Sequence, residues 1–154
     1  MNILVILISV ILQLSADFHQ TKQSQILVED QVSVGHLTYR SPDYLRWEYT
    51  APMQLVWELD GEKTNVTHQI KRLLKLIMYT IACDELQSTA DFEVAIEKGV
   101  YHLLPKNREL KQFFSAIQLE MDTTTNVAKK VVLTEKNGDI TTIVFEKMIE
   151  VVRL

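Results

Sequence analysis

Four histidines, one cysteine and a short run of carboxylates are the first side chains of this 154-residue chain to weigh for chemistry. A zinc site needs three or four convergent ligands. His19, His36, His68 and His102 stand singly, with no ligand spacing among them or to Cys83. Cys83 sits just past a helical pattern and reads as a small apolar packing residue. With no second cysteine there is no intrachain disulfide, which suits a reducing compartment and an oxidising one alike. Glu93 and Glu97 occupy alternate positions of one strand near Asp91. Glycoside hydrolysis needs two carboxylates facing each other across a cleft, whereas a row along one strand is a solvated face. No G-x-S-x-G turn, Walker loop or Rossmann fingerprint is present. Asn65-Val66-Thr67 matches the glycosylation sequon only formally. The expectation is a protein without catalytic residues, metal or cofactor.

What the chain does carry is apolar surface in ordered rows. In VGHLTYRSPDYLRWEYTAP, residues 34–52, large side chains fall at every second position: Leu37 and Tyr39, then Leu45, Trp47 and Tyr49. Period-two alternation puts them on one face of an antiparallel pair and sends Arg46 and Glu48 to the other. Phe18, Gln20 and Lys22 alternate in the same way, as do Leu55, Trp57 and Leu59. The reading is a curved sheet with an apolar concave side, which either closes on its own core or covers a cavity.

The elements that must position these rows follow from period and turn signals. Asp17–Leu27 and Gln31–Tyr39 read as strands joined at Glu29-Asp30. Pro42-Asp43 leads into Tyr44–Thr50, which Pro52 ends, and Met53–Leu59 runs to a hairpin turn at Asp60-Gly61. From about Asn65 the period changes. Ile70, Leu73, Leu74, Ile77, Met78 and Ile81 form the stripe of an amphipathic helix over 66–82, capped by Thr67 or Asn65. Lys71, Arg72 and Lys75 lie on its flank. Three readings of this helix stay open: a core helix, a lid over a lipid-sized cavity, or a membrane-surface contact through those basic residues. Phe92–Glu97 and Val100–Leu104 make a hairpin across Lys98-Gly99, and Asn107–Phe114 a short helix or turn. Ile117–Asp122 is a further strand. Ala128–Thr134 and Ile140–Lys147 close the chain around Asn137-Gly138. The fold expected is one antiparallel sheet with one substantial helix packed on it.

A net charge of -4 and a pI near 5.6 exclude the basic surface that a nucleic-acid binder needs. Residues 1–16 contain no charged side chain. Their apolar run is shorter than the roughly 20 residues of a membrane span and has the length of a signal-peptide core. Residues 1–16 are therefore expected to be an export signal removed near Ala16, or else an uncleaved anchor or an apolar first helix, with a single domain over 17–154.

The residues that carry a family likeness are Phe18-His19-Gln20-Thr21-Lys22, Gly35-His36-Leu37-Thr38-Tyr39, Ser41-Pro42 and Leu45-Arg46-Trp47-Glu48-Tyr49 with Pro52. Tyr101-His102-Leu103-Leu104-Pro105 and Gly138-Asp139 with Thr141, Thr142 and Phe145 extend it. In order and spacing they resemble LolA-type outer-membrane lipoprotein carriers over roughly residues 17–147. The resemblance implies a mainly β fold with α, an incomplete antiparallel β-barrel covered by a helical lid. It implies a monomeric, non-enzymatic periplasmic carrier that takes lipoprotein acyl chains, or another lipid, from an inner-membrane ABC transporter to an outer-membrane acceptor. By position it assigns Leu37, Tyr39, Leu45, Trp47 and Tyr49 to the lipid pocket, with Trp57, Leu74 and Ile77 joining them from the neighbouring strand and the helix. Where the family places a lid-holding Arg, this chain has Ser41. The competing expectation is a closed structural or protein-interaction β domain of the envelope, without a lipid cavity.

Overall fold

The structure is a computed structural model that describes residues 11–82, 88–122 and 128–153. Two five-stranded meanders make up a single antiparallel sheet. The first comprises β1 (Ile11–Gln23), β2 (Gln31–Arg40), β3 (Tyr44–Ala51), β4 (Leu55–Asp60) and the two-residue β5 (Lys63–Thr64). The second comprises β6 (Phe92–Glu97), β7 (Val100–Pro105), β8 (Phe114–Met121), β9 (Ala128–Glu135) and β10 (Ile140–Arg153). Pairing of β1 with β10 joins them, so the spatial order is β5-β4-β3-β2-β1-β10-β9-β8-β7-β6. The sheet is open, with β5 and β6 as its two edges. Helix α1 (His68–Ala82) is the connection between those edge strands, and α2 (Arg108–Lys111) links β7 to β8. The result is an incomplete barrel with a helix over its concave side.

The alternation rule accounts for the interior. Leu37 faces Trp47 and Tyr39 faces Leu45 across the β2–β3 ladder, and all four are buried. Trp47 faces Trp57 in the next strand. Leu103, Ile117, Leu119, Val131, Leu133 and Ile143 line the other half. From α1, Leu74, Leu76 and Met78 enter the same core. Positive φ at Gly61 (62°), Lys98 (50°), Gly99 (78°) and Gly138 (93°) marks the tight turns that the sequence signals, where backbone twist requires that region. An extra residue in β10 opposite Ala16 takes up the register shift of the β1–β10 seam, and Lys147 there has φ of 52°.

The first strand departs from expectation. β1 begins at Ile11 rather than Asp17 and ends at Gln23, leaving 24–30 as the loop. Leu12, Leu14, Ala16 and Phe18 alternate on the concave side, and Leu14 and Ala16 are buried. Leu14 pairs with Tyr39 and with Glu150. The charge-free run 1–16 thus overlaps β1 from Ile11 onward, since absence of charge is shared by export cores and buried strands. Residues 1–10 lie outside the described residues, as does Cys83. α1 starts two residues later than expected. Asn65 does not cap it, because its side chain accepts from Glu58 N and donates to Val56 O in β4.

The candidate apolar site and its tethered helix

Beneath α1 the two meanders enclose a cavity of about 210 Å³. Its walls are Leu14, Leu37, Trp47, Tyr49 and Trp57 from the first half, Ile117, Val131, Ile143 and Phe145 from the second, and Leu73, Leu74, Leu76 and Ile77 from the helix. An aromatic cluster builds the first wall. Phe18 stacks on Trp47 at 4.1 Å between ring centroids, and Tyr49 meets Trp57 edge-on at 5.3 Å. Such pairs add about 0.5–1.5 kcal/mol each beyond burial. Polar side chains gather at one end only: Gln20, Lys22, Glu135 and Thr141. There Tyr49 Oη donates to Gln20 Oε1 at 2.9 Å, and burial raises the Tyr49 hydroxyl above its ordinary value. Lys22 Nζ lies 3.5 Å from Glu135 and 3.7 Å from Asp139. Beyond this polar end opens a wider cleft of about 880 Å³, lined by Lys22, Ile70, Phe113 and Lys136 among others. Trp47 Nε1 is the one fully buried side-chain polar atom without a well-formed hydrogen bond among the described residues, and its nearest acceptor is the Tyr49 hydroxyl.

Of the eight residues expected to hold lipid, Leu37, Trp47, Tyr49, Trp57, Leu74 and Ile77 line this cavity. Tyr39 and Leu45 are buried in the same core but lie off the cavity, toward the end of the barrel where Tyr39 Oη donates to the Pro42 carbonyl. Sequence reasoning missed Leu14, hidden in the charge-free run, and the whole second wall, whose alternation in β8–β10 was read as strand but not as lining.

The basic flank of α1 is engaged with protein. Lys71 and Lys75 reach Glu62 of the β4–β5 turn at 2.6 and 2.8 Å. Together they pull the Glu62 carboxyl down to about 2. Arg72 reaches Asp91 at 3.4 Å and Glu109 at 3.3 Å, and His68 lies 3.5 Å from Glu109. The three cations that the membrane-surface reading invokes thus have carboxylate partners within the protein. At Ser41 the family's lid-holding Arg has no counterpart. The Ser41 hydroxyl instead accepts from Leu12 N at 2.8 Å, and Arg40 lies over the Tyr44 ring at 4.6 Å.

His36 Nδ1 sits 2.9 Å from Asp17 Oδ1, which holds Asp17 below its ordinary range. The pair is partly exposed, and among the described residues no serine hydroxyl is hydrogen-bonded to a histidine. No cluster of three or more His, Cys, Asp or Glu there could hold a metal ion.

The architecture is that of an open antiparallel sheet, an incomplete barrel with a helix laid over its apolar concavity. The chain matches the family of the outer membrane lipoprotein carrier protein LolA over residues 9–154, and it belongs to that family. Membership places it in the periplasm. No curated protein matches it. Among solved structures, it resembles a chain in the complex structure of Pseudomonas aeruginosa MucA/MucB. The TM-score is 0.50 at 11% identity, covering 90% of this chain and 52% of that one. It also resembles the LolA superfamily protein NE2245 from Nitrosomonas europaea, with a TM-score of 0.42 at 9% identity, covering 88% and 84%. The chain thus spans about half the length of the MucA/MucB relative.

Proposed function

We propose that this chain is a non-catalytic protein-interaction domain of the periplasm, whose half-barrel is closed by its own side chains in the resting state. The observation that carries this reading is the filling of the interior. Leu37, Tyr39, Leu45, Trp47 and Leu74 are at most 2% exposed, and the space left, about 210 Å³, falls below the roughly 300–1,000 Å³ of ligand pockets. It is closer to the engineered apolar cavity of about 150 Å³ that holds one benzene. The likeness to a MucA/MucB complex supports the same reading, because that fold occurs there in a protein assembly.

A second reading, the lipid carrier, rests on a different observation. The cavity is apolar except at the end that leads into the wider cleft. An acyl chain needs apolar area and no polar partners, and each methylene buried contributes about 0.8 kcal/mol. Carriage of a full chain requires α1 to swing away. The inner-membrane transporter and outer-membrane acceptor belong to this second reading.

Native mass spectrometry of the protein isolated from the periplasm of its host separates the two. The expected result is the bare chain, alone or with a protein partner in fixed stoichiometry. A mass increment equal to a lipid or lipoprotein overturns the interaction reading and installs the carrier.

A further inference from the structure

The end of the barrel that carries the cavity's polar mouth also carries most of the large apolar side chains that protrude into solvent among the described residues. The first five residues of the β1–β2 loop, Ser24-Gln25-Ile26-Leu27-Val28, have no charge, and Ile26 and Val28 are 90% and 102% exposed. Val32, at the foot of the same hairpin, and Met53 and Leu55, at the β3–β4 turn, are exposed as well. Register places them together. Lys22 pairs with Gln31 and Gln23 with Ile140, which brings the 24–30 loop and the 136–139 turn to one end. Val34 pairs with Ala51, which sets the β3–β4 turn beside Val32. Lys22, Phe113 and Lys136 line the cleft at that same end.

We infer that this end of the barrel docks on a lipid bilayer, with Ile26, Leu27 and Val28 entering the interfacial region and Met53 and Leu55 resting against it. Three features suit this end to a bilayer, and the first of them speaks against a protein as the occupant. First, the apolar residues stand on projecting loop tips; a soft medium admits such tips, whereas a protein partner fits a continuous patch with complementary shape. Second, the tip's backbone is partly satisfied from within. Leu27 N donates to Ser24 O at 3.2 Å and Ile26 N to Ser24 Oγ at 3.4 Å, which lowers the cost of leaving water. Third, the mouth of the apolar cavity opens at this end, so a docked molecule faces it toward the membrane. Glu29 and Asp30 follow the tip directly, and the whole chain carries -4. Anionic headgroups therefore contribute no attraction, in contrast to polybasic anchors. The third feature rests on the lipid-carrier reading; the docking itself requires neither a bound lipid nor a protein partner.

Flotation of the full chain with phosphatidylcholine vesicles tests it, with phosphatidylglycerol-enriched vesicles in parallel and circular dichroism to confirm the fold of each variant. The wild type is expected to float with phosphatidylcholine, with no gain from phosphatidylglycerol and no loss at high salt. The double variant Ile26→Ser with Val28→Ser should partition at least about tenfold more weakly. Ile149→Ser, an exposed apolar position on β10 at the other end, should float like the wild type. Three outcomes overturn the proposal: no flotation of the wild type, equal flotation of tip and control variants, or flotation that appears only with phosphatidylglycerol and vanishes in salt. If the tip variant floats normally but loses a cross-linked periplasmic protein, the tip serves a protein partner and the bilayer proposal falls.

Discussion

Lys71 and Arg72 are consecutive in α1 yet reach opposite edges of the open sheet. Lys71 holds Glu62, beside β5, at 2.6 Å, and Arg72 holds Asp91, at the head of β6, at 3.4 Å. Because β5 and β6 are unpaired with each other, these contacts tie the helix across the gap that keeps the barrel incomplete. Lys75 doubles the first tie, and Glu109 the second. Exposed ion pairs are individually weak, but a network that shares partners contributes more. The helix is thus fixed by its apolar stripe and trimmed by charge.

Removing the β6-side tie should loosen the helix without unfolding the barrel. Arg72→Ala is expected to cost about 1 kcal/mol locally, which is about a fivefold rise in the opening equilibrium of α1. Hydrogen exchange resolved by segment checks this. Amides of α1 should lose protection while those of β2, β3 and β8 keep theirs. Uniform loss across the sheet would mean that α1 is part of the global unfolding unit and no separable lid.

Acid should act on the other tie within a defined window. Hydrogen bonds from Lys71, and then from Lys75, lower the Glu62 carboxyl from 4.5 to about 2. A depressed acid stabilises the folded form above its unfolded value, and that contribution is lost as pH falls through the folded value. The wild-type protection of α1 should therefore be flat in this respect above about pH 4.5 and decline from there toward 2. Glu62→Gln should already show the reduced protection at neutral pH and lack the additional step in that window. Comparing the two chains isolates Glu62 from Asp91 and Glu109. Because Glu62 is exposed, high salt should shrink the difference between them.

How far the sequence spoke depends on what each signal could distinguish. The concave rows of β2 and β3 were legible because Leu37, Tyr39, Leu45, Trp47 and Tyr49 alternate between polar neighbours, and only a strand does that. The hairpin turns were legible through Asp60-Gly61, Lys98-Gly99 and Asn137-Gly138. The start of β1 was not, because Leu12, Leu14 and Ala16 sit in a charge-free run that suits a signal core, a helix or a buried strand equally. The tethers were also hidden. Glu62, Asp91 and Glu109 are distant in sequence from Lys71 and Arg72, and only closure of the two meanders beneath one helix brings them together.

Gly35 should be the least tolerant glycine of the chain. A Cβ at this β2 position would collide with the Glu48 carbonyl oxygen and come within 2.5 Å of the Phe18 ring. That ring lies flat against Trp47, so it has no free direction in which to yield. Gly35→Ala is expected to destabilise by about 3 kcal/mol, at the upper end for overpacking. Gly99→Ala meets no atom within 4 Å and loses only the comfort of positive φ, about 1 kcal/mol. Urea titration of both variants gives the ranking. Equal midpoints would mean that the Phe18–Trp47 stack is absent in solution.

The phase of β3 makes neighbouring substitutions unequal. Trp47 is 2% exposed among Phe18, Tyr49 and Phe145, whereas Arg46 points to the other face and meets Glu48 at a loose 3.7 Å. Trp47→Asp removes a large apolar side chain and sets a carboxylate among aromatic rings, at a cost of about 3–5 kcal/mol even after the acid takes up a proton. Arg46→Asp forfeits a weak surface pair and places a second negative charge opposite Glu58, a change of about 1 kcal/mol or less. Thermal melts should therefore show a large fall for the first variant and a small one for the second. Trp47→Phe sharpens the test, because it keeps an aromatic ring against Phe18 and introduces no charge. Its loss of stability should be clearly smaller than that of Trp47→Asp. A Trp47→Phe variant as damaged as Trp47→Asp would show that lost volume, and not the buried carboxylate, dominates the effect at this position.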